Sequence, residues 1–268
     1  MALQAQVPSL RYRYPVSLVL RTGCSILLGR RRCFPGDAAQ LYRTIVPSPR
    51  VEGLQWVPRS GGLVIAFNHY SSRSFASWWN AIAITGALGS VRSLAPDEGV
   101  WLMAGAWTYP DPVRQRVVTP LTKRAFARVA RVYGFVAMPP MPPRPQEVEA
   151  RAQAVRRALA IASRAQPPVI GISPEGRDSP DASLIEPPPG AGRFLLLLAA
   201  SLPILPVGVY EEGAQLVVRF GLPFALQAPP GLTPGERDAW ASERVMLAIG
   251  RQLPPRLWGV YRHRLDAQ

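Results

Sequence analysis

Apolar and polar positions along the chain divide it into short apolar runs and longer stretches with helical spacing. The sharpest run is Leu63–Phe67, LVIAF, which reads as a buried strand that stops abruptly at Asn68-His69. Upstream, residues 51–57 read as a strand followed by a turn on Pro58 and the Gly61-Gly62 pair. Downstream, residues 90–94, 133–138 and 168–173 carry strand patterns, and 204–210 and 215–220 suggest an antiparallel pair around Glu211-Glu212-Gly213. Helical spacing is found at 15–28, 75–83, 120–132, 146–165, 190–200 and 234–253. Residues 97–120 mix tryptophans with prolines and read as a loop-rich cover over a cleft, and 139–145 (PPMPPRP) as a stiff connector. Strands alternating with helices predict a single α/β domain over 51–268, preceded by a helical segment over 1–50.

Charge changes this picture most. The 268 residues carry a formal net charge of +14, almost all from arginine, with Lys123 as the single lysine. So basic a chain seeks anionic partners. No nucleic-acid-binding pattern accompanies the charge, so an anionic membrane surface is the expected partner and nucleic acid is not. Residues 15–28 place Val16, Val19, Leu20, Ile26 and Leu27 on one side, and Arg30, Arg31 and Arg32 follow at once. An apolar stripe with a cationic end suits a helix lying in an anionic interface; docking on the domain is the alternative. The stretch is interrupted by Arg21, is too short to span a bilayer and lacks a cleavage pattern. The expected localisation is therefore peripheral or monotopic, on the cytoplasmic side of the cell membrane. Cys24 and Cys33 are the only cysteines, too few for a disulfide framework. With two histidines, His69 and His263, no metal-ligand cluster is implied.

Candidate chemistry gathers at two strand ends. His69 sits between a buried strand and a helix start, where backbone N–H groups are free and the dipole is positive. The run Ser173-Pro174-Glu175-Gly176-Arg177-Asp178 follows the strand at 168–173. In α/β sheets, ligands collect at such ends.

These stretches, in their order, resemble the glycerolipid acyltransferase family of the lysophosphatidic acid and glycerol-3-phosphate type. Gly53-Leu54-Gln55-Trp56-Val57-Pro58 resembles the lead-in to the histidine strand, and Asn68-His69 the start of the histidine motif. Gly134-Phe135-Val136 resembles the second motif, Ser173-Pro174-Glu175-Gly176 the proline-glutamate-glycine motif, and 202–208 the final proline-containing strand. The resemblance implies a mixed β-sheet flanked by helices. It also implies transfer of a fatty acyl group from an acyl-CoA or acyl carrier protein thioester to a hydroxyl of a lysophospholipid-type acceptor, with no further cofactor. His69 would be the general base. Asn68, Glu175, Gly176 and Arg177 would line the substrate site, with Arg177 as the nearest bidentate clamp for phosphate.

The chain departs from that pattern where the chemistry is densest. An aspartate belongs five positions after the histidine, and Ser74 stands there. Serine can hydrogen-bond imidazole but cannot stabilise imidazolium by charge; Ser74 is the substitute partner that the motif offers. Asp178, or Asp97 and Glu98, are the carboxylates able to replace it in space. The arginine of the second motif has no counterpart at 138–140, and Asp178 stands where the third motif carries its arginine. An alternative reading is a catalytically degenerate family member that binds lipid or an acyl carrier at a membrane surface. A serine hydrolase built on Ser173, Asp238 and His263 is a further rival, weakened because Glu175 occupies the place where a nucleophile elbow needs glycine.

Overall fold

The computed structural model describes residues 9–109, 111–140 and 145–267. A seven-stranded sheet runs through the molecule in the order β1-β7-β6-β2-β5-β3-β4. Its strands are β1 (Arg50–Glu52), β2 (Leu63–Phe67), β3 (Val100–Ala104), β4 (Val136–Met138), β5 (Val169–Ile172), β6 (Ile204–Glu212) and β7 (Gln215–Phe220). β6 and β7 pair antiparallel, as the Glu211-Glu212-Gly213 turn predicted, and every other neighbouring pair is parallel. The sheet is thus mixed. β2 and β5 are buried along their whole length, which is why they read as unbroken apolar runs.

Helices flank the sheet: α1 (Val16–Leu28), α2 (Phe34–Tyr42), α3 (Trp78–Leu88), α4 (Pro112–Tyr133), α5 (Val148–Ala162), α6 (Ala191–Leu198), α7 (Pro234–Gly250) and α8 (Arg262–Asp266). α2 packs on α3, which also touches β7; α5, α6 and α7 form a second group, in contact with β4, β6 and β2. One core joins them, and Phe34 from the N-terminal segment belongs to it.

Several elements differ from the sequence expectation. Residues 90–94 form no strand: Arg92 is buried there and donates to the Pro58 and Gly61 carbonyls, tying the end of α3 to the turn before β2. The loop-rich cover contains β3, which fills the place beside β5. α4 begins well before residue 120, at Pro112, because Asp111 caps it by accepting from the Val113 and Arg114 N–H groups. α3 begins at Trp78, not at 75: the Ser72 hydroxyl accepts from the Phe75 N–H and holds those residues in a turn. The basic tail around His263 folds as α8, anchored by buried Leu265. Of the proline-rich connector, 141–144 lie outside the described residues.

Candidate active site

β2, β3, β4, β5 and β6 run in one direction, so their C-terminal ends share one edge of the sheet. β2 and β5 are neighbours there, with Ala66 opposite Ile172. The chain leaves β2 as Asn68-His69 and leaves β5 as Ser173-Pro174-Glu175. Two segments more than a hundred residues apart therefore meet.

Asn68 prolongs the sheet with its side chain. Its carboxamide donates to the Val209 carbonyl and accepts the Val209 N–H, both at 2.8 Å. That bidentate clamp stands in for the next rung of the β2/β6 ladder. It occupies both ends of the amide, and Asn68 is buried.

Glu175 sits beneath the histidine. One carboxylate oxygen accepts the His69 backbone N–H at 2.6 Å and the other accepts the Ile185 N–H at 3.0 Å. Its exposure is only 2%, and burial pushes its pKa up to about 7 against the pull of those two N–H groups. Glu175 thus braces the histidine backbone from inside the protein. Gly176 follows with φ +65°, a left-handed conformation that suits glycine. The turn is closed by the Gly176 N–H donating to the Ser173 carbonyl, and it sends the chain back toward β2.

That reversal delivers Asp178. Its Oδ1 lies 2.8 Å from His69 Nδ1. The bond to His69 holds the Asp178 carboxyl below its ordinary range, so it is ionised at neutral pH. An ionised carboxylate only accepts, so Nδ1 carries a proton, and in the neutral imidazole Nε2 is then the nitrogen with the lone pair. The imidazole is half-buried while Asp178 is open to solvent. Arg177, between Gly176 and Asp178, is exposed.

Ser74 is placed elsewhere. Its hydroxyl donates to Glu211 Oε1 at 3.2 Å, and the imidazole takes its carboxylate from the loop after β5. Glu211 also accepts from the hydroxyls of Tyr12 and Tyr70. β6 outruns β2, and this tail of β6 pins the loop after His69. Among the other carboxylates, Glu98 pairs with Arg92, beyond the C-terminal end of α3 and beside the turn before β2. The hydrolase set is scattered: both oxygens of Asp238 accept N–H groups at the start of α6, from Gly190 and Arg193, and His263 lies on α8.

The arrangement offers an imidazole with a fixed tautomer, an oriented ring and a free Nε2 at a sheet edge. Such a group can take a proton from a hydroxyl and return it to a leaving group.

No protein-family description matches the chain, and no curated protein matches it. Among solved structures it is similar to the 1-acyl-sn-glycerophosphate (LPA) acyltransferase PlsC from Thermotoga maritima. The two share 13% sequence identity over 88% of this chain and 87% of that chain, with a TM-score of 0.47.

Proposed function

We propose that the chain is an acyltransferase that moves a fatty acyl group from an acyl-CoA or acyl carrier protein thioester to a hydroxyl of a lysophospholipid-type acceptor. The single observation that carries this reading is the 2.8 Å contact between His69 Nδ1 and Asp178 Oδ1. The order of the sequence stretches that resemble glycerolipid acyltransferases supports it.

In the reaction, Nε2 of His69 takes the acceptor hydroxyl proton as the oxygen attacks the thioester carbonyl. The carbonyl oxygen becomes an oxyanion. Collapse of that tetrahedral intermediate breaks the C–S bond, and the imidazolium gives its proton to the departing thiolate. Asp178 holds the tautomer and stabilises the imidazolium that forms between the steps. It supplies the charge that Ser74 cannot. Asn68 and Glu175 fix the backbone of the base from below, while Gly176 and Arg177 face the acceptor, with Arg177 as its phosphate clamp. The exposed apolar side of α1, followed by Arg30 and Arg31, holds the enzyme on an anionic membrane surface, on the cytoplasmic side.

The test is thiol release from an acyl thioester across a panel of lysophospholipids. His69→Ala should abolish turnover. Asp178→Asn should lower kcat by roughly 10,000-fold, the size of effect seen when a base loses its orienting carboxylate. Ser74→Ala should cost far less. Wild-type rates in Asp178→Asn would sink the assignment. No thiol release with any acceptor, with lipid binding retained, would instead favour the membrane-surface binding protein.

A further inference from the structure

α4 is fully buried at one end only. Its buried residues, Ala130 and Val132, are in the last turns. The first three turns bury no side chain fully, and their outer face exposes Val113 (70%), Val117 (56%) and Leu121 (57%). These positions, four apart, form one stripe about 12 Å long at 1.5 Å per residue. Single exposed apolar side chains are ordinary, but three in register are not. Arg114, Arg116, Lys123, Arg124 and Arg128 are exposed around them, and 112–133 contain no acidic residue.

Position adds to composition. β3 is parallel to β5, so the chain leaves β3 at the same sheet edge that carries His69 and Asp178, and α4 starts a short connection later. On that connection Trp107 is also exposed; its ring packs on Phe126 with centroids 5.2 Å apart. At the other end α4 is tied to the α1 segment. Arg31 donates to the Arg131 carbonyl at 3.1 Å, and the Arg32 N–H to the Val132 carbonyl at 3.0 Å. α1 exposes a stripe of its own, with Val16, Val19, Leu20, Leu27 and Leu28.

We propose that the N-terminal half of α4 is a second membrane-contacting element, which seats its Val113-Val117-Leu121 stripe in an anionic phospholipid surface and presents the His69 edge of the sheet to it. The absence of acidic side chains matches an anionic surface. One helix of an acidic carrier protein could cover one stripe. Two stripes on adjoining helices, with an exposed indole beside them, call for a continuous apolar layer bordered by headgroups. The inference rests on the membrane-surface part of the preceding reading and not on turnover.

The experiment is co-sedimentation of the full chain with vesicles of phosphatidylcholine, with and without phosphatidylglycerol. Val117→Glu combined with Leu121→Glu should weaken binding to the anionic vesicles at least about tenfold, since two apolar side chains lose their burial. Val260→Glu, a change at an equally exposed position on another element, should bind as wild type does. His69→Ala should also bind as wild type, so a chain without turnover still reports on α4. Unchanged thermal midpoints show that the variants fold. Binding of the α4 variant equal to wild type, with loss only in Val19→Glu/Leu27→Glu, overturns the proposal and leaves α1 as the anchor. So does an α4 variant that keeps vesicles but loses an acidic acyl carrier protein. No vesicle binding by the wild type overturns the proposal and the membrane reading together.

Discussion

Asp178 reaches His69 because of its immediate neighbours. Glu175 is fixed by two backbone N–H groups, Gly176 turns the chain in a left-handed conformation, and the next residues fall over the end of β2. The same geometry gives Glu175 a signature in stability. Its folded-state pKa, about 7, lies above the ordinary value of 4.5 because burial disfavours the charged form. Its contribution is therefore fully present below about pH 4.5 and is lost as pH rises through about 7. The shift corresponds to roughly 3 kcal/mol between those limits. Urea midpoints measured against pH should show this decline in the wild type. Glu175→Gln should lack it, while being less stable at low pH because its amide NH₂ cannot accept an N–H bond. The position of His69, the proposed base, was legible in the sequence, since it is one of two histidines and follows a strand. Its partner was one carboxylate among three named, because a contact between β2 and β5 depends on which strands are neighbours. Ser74 stands at the motif position but lies under the pull of Glu211, on a strand far away in sequence.

Elements followed the sequence where local signals were strong and departed where a neighbour decided. α7 starts at a capping box: Thr233 Oγ1 accepts from the Glu236 N–H, and the Glu236 carboxylate accepts from the Thr233 N–H. Thr233→Ala should lower stability by about 1 kcal/mol, read as a shift of the denaturant midpoint at unchanged slope. α4 carries an equally local start signal, Asp111 before Pro112, which outweighs the later Pro120. β3 was hidden because Trp101 looks like cover. It is instead a strand residue opposite Gly171, where a Cβ would come within 2.3 Å of the indole. Residues 90–94 have the right composition for a strand but form none, and the buried Arg92 serves carbonyls of another turn.

At the scale of the molecule, the N-terminal segment shares the domain core. The Phe34 ring meets Phe135 at 4.8 Å and Tyr133 at 5.5 Å, and Asp37 accepts from Tyr133 at 2.8 Å and pairs with Arg32. Phe34→Ala should cost about 3–5 kcal/mol, and the chain should still unfold in one cooperative step by both far-UV and tryptophan signals. Two separate transitions would show that residues 1–50 fold apart from the sheet. Among the described residues no helix is long and apolar enough to cross a membrane. α1 and α4 each expose a row of apolar side chains, and the charges on both helices are all positive.

The sequence by itself determined the α/β alternation, the buried strands, the basic charge and the histidine at the end of β2. Each of these is written within a few neighbouring residues, as period, composition or a cap. Only the tertiary structure decided that Asp178 meets His69, that Glu175 lies beneath it and that α4 follows β3 from the same edge of the sheet. Those facts depend on strand order and on parallel pairing, which bring together residues that no local pattern connects.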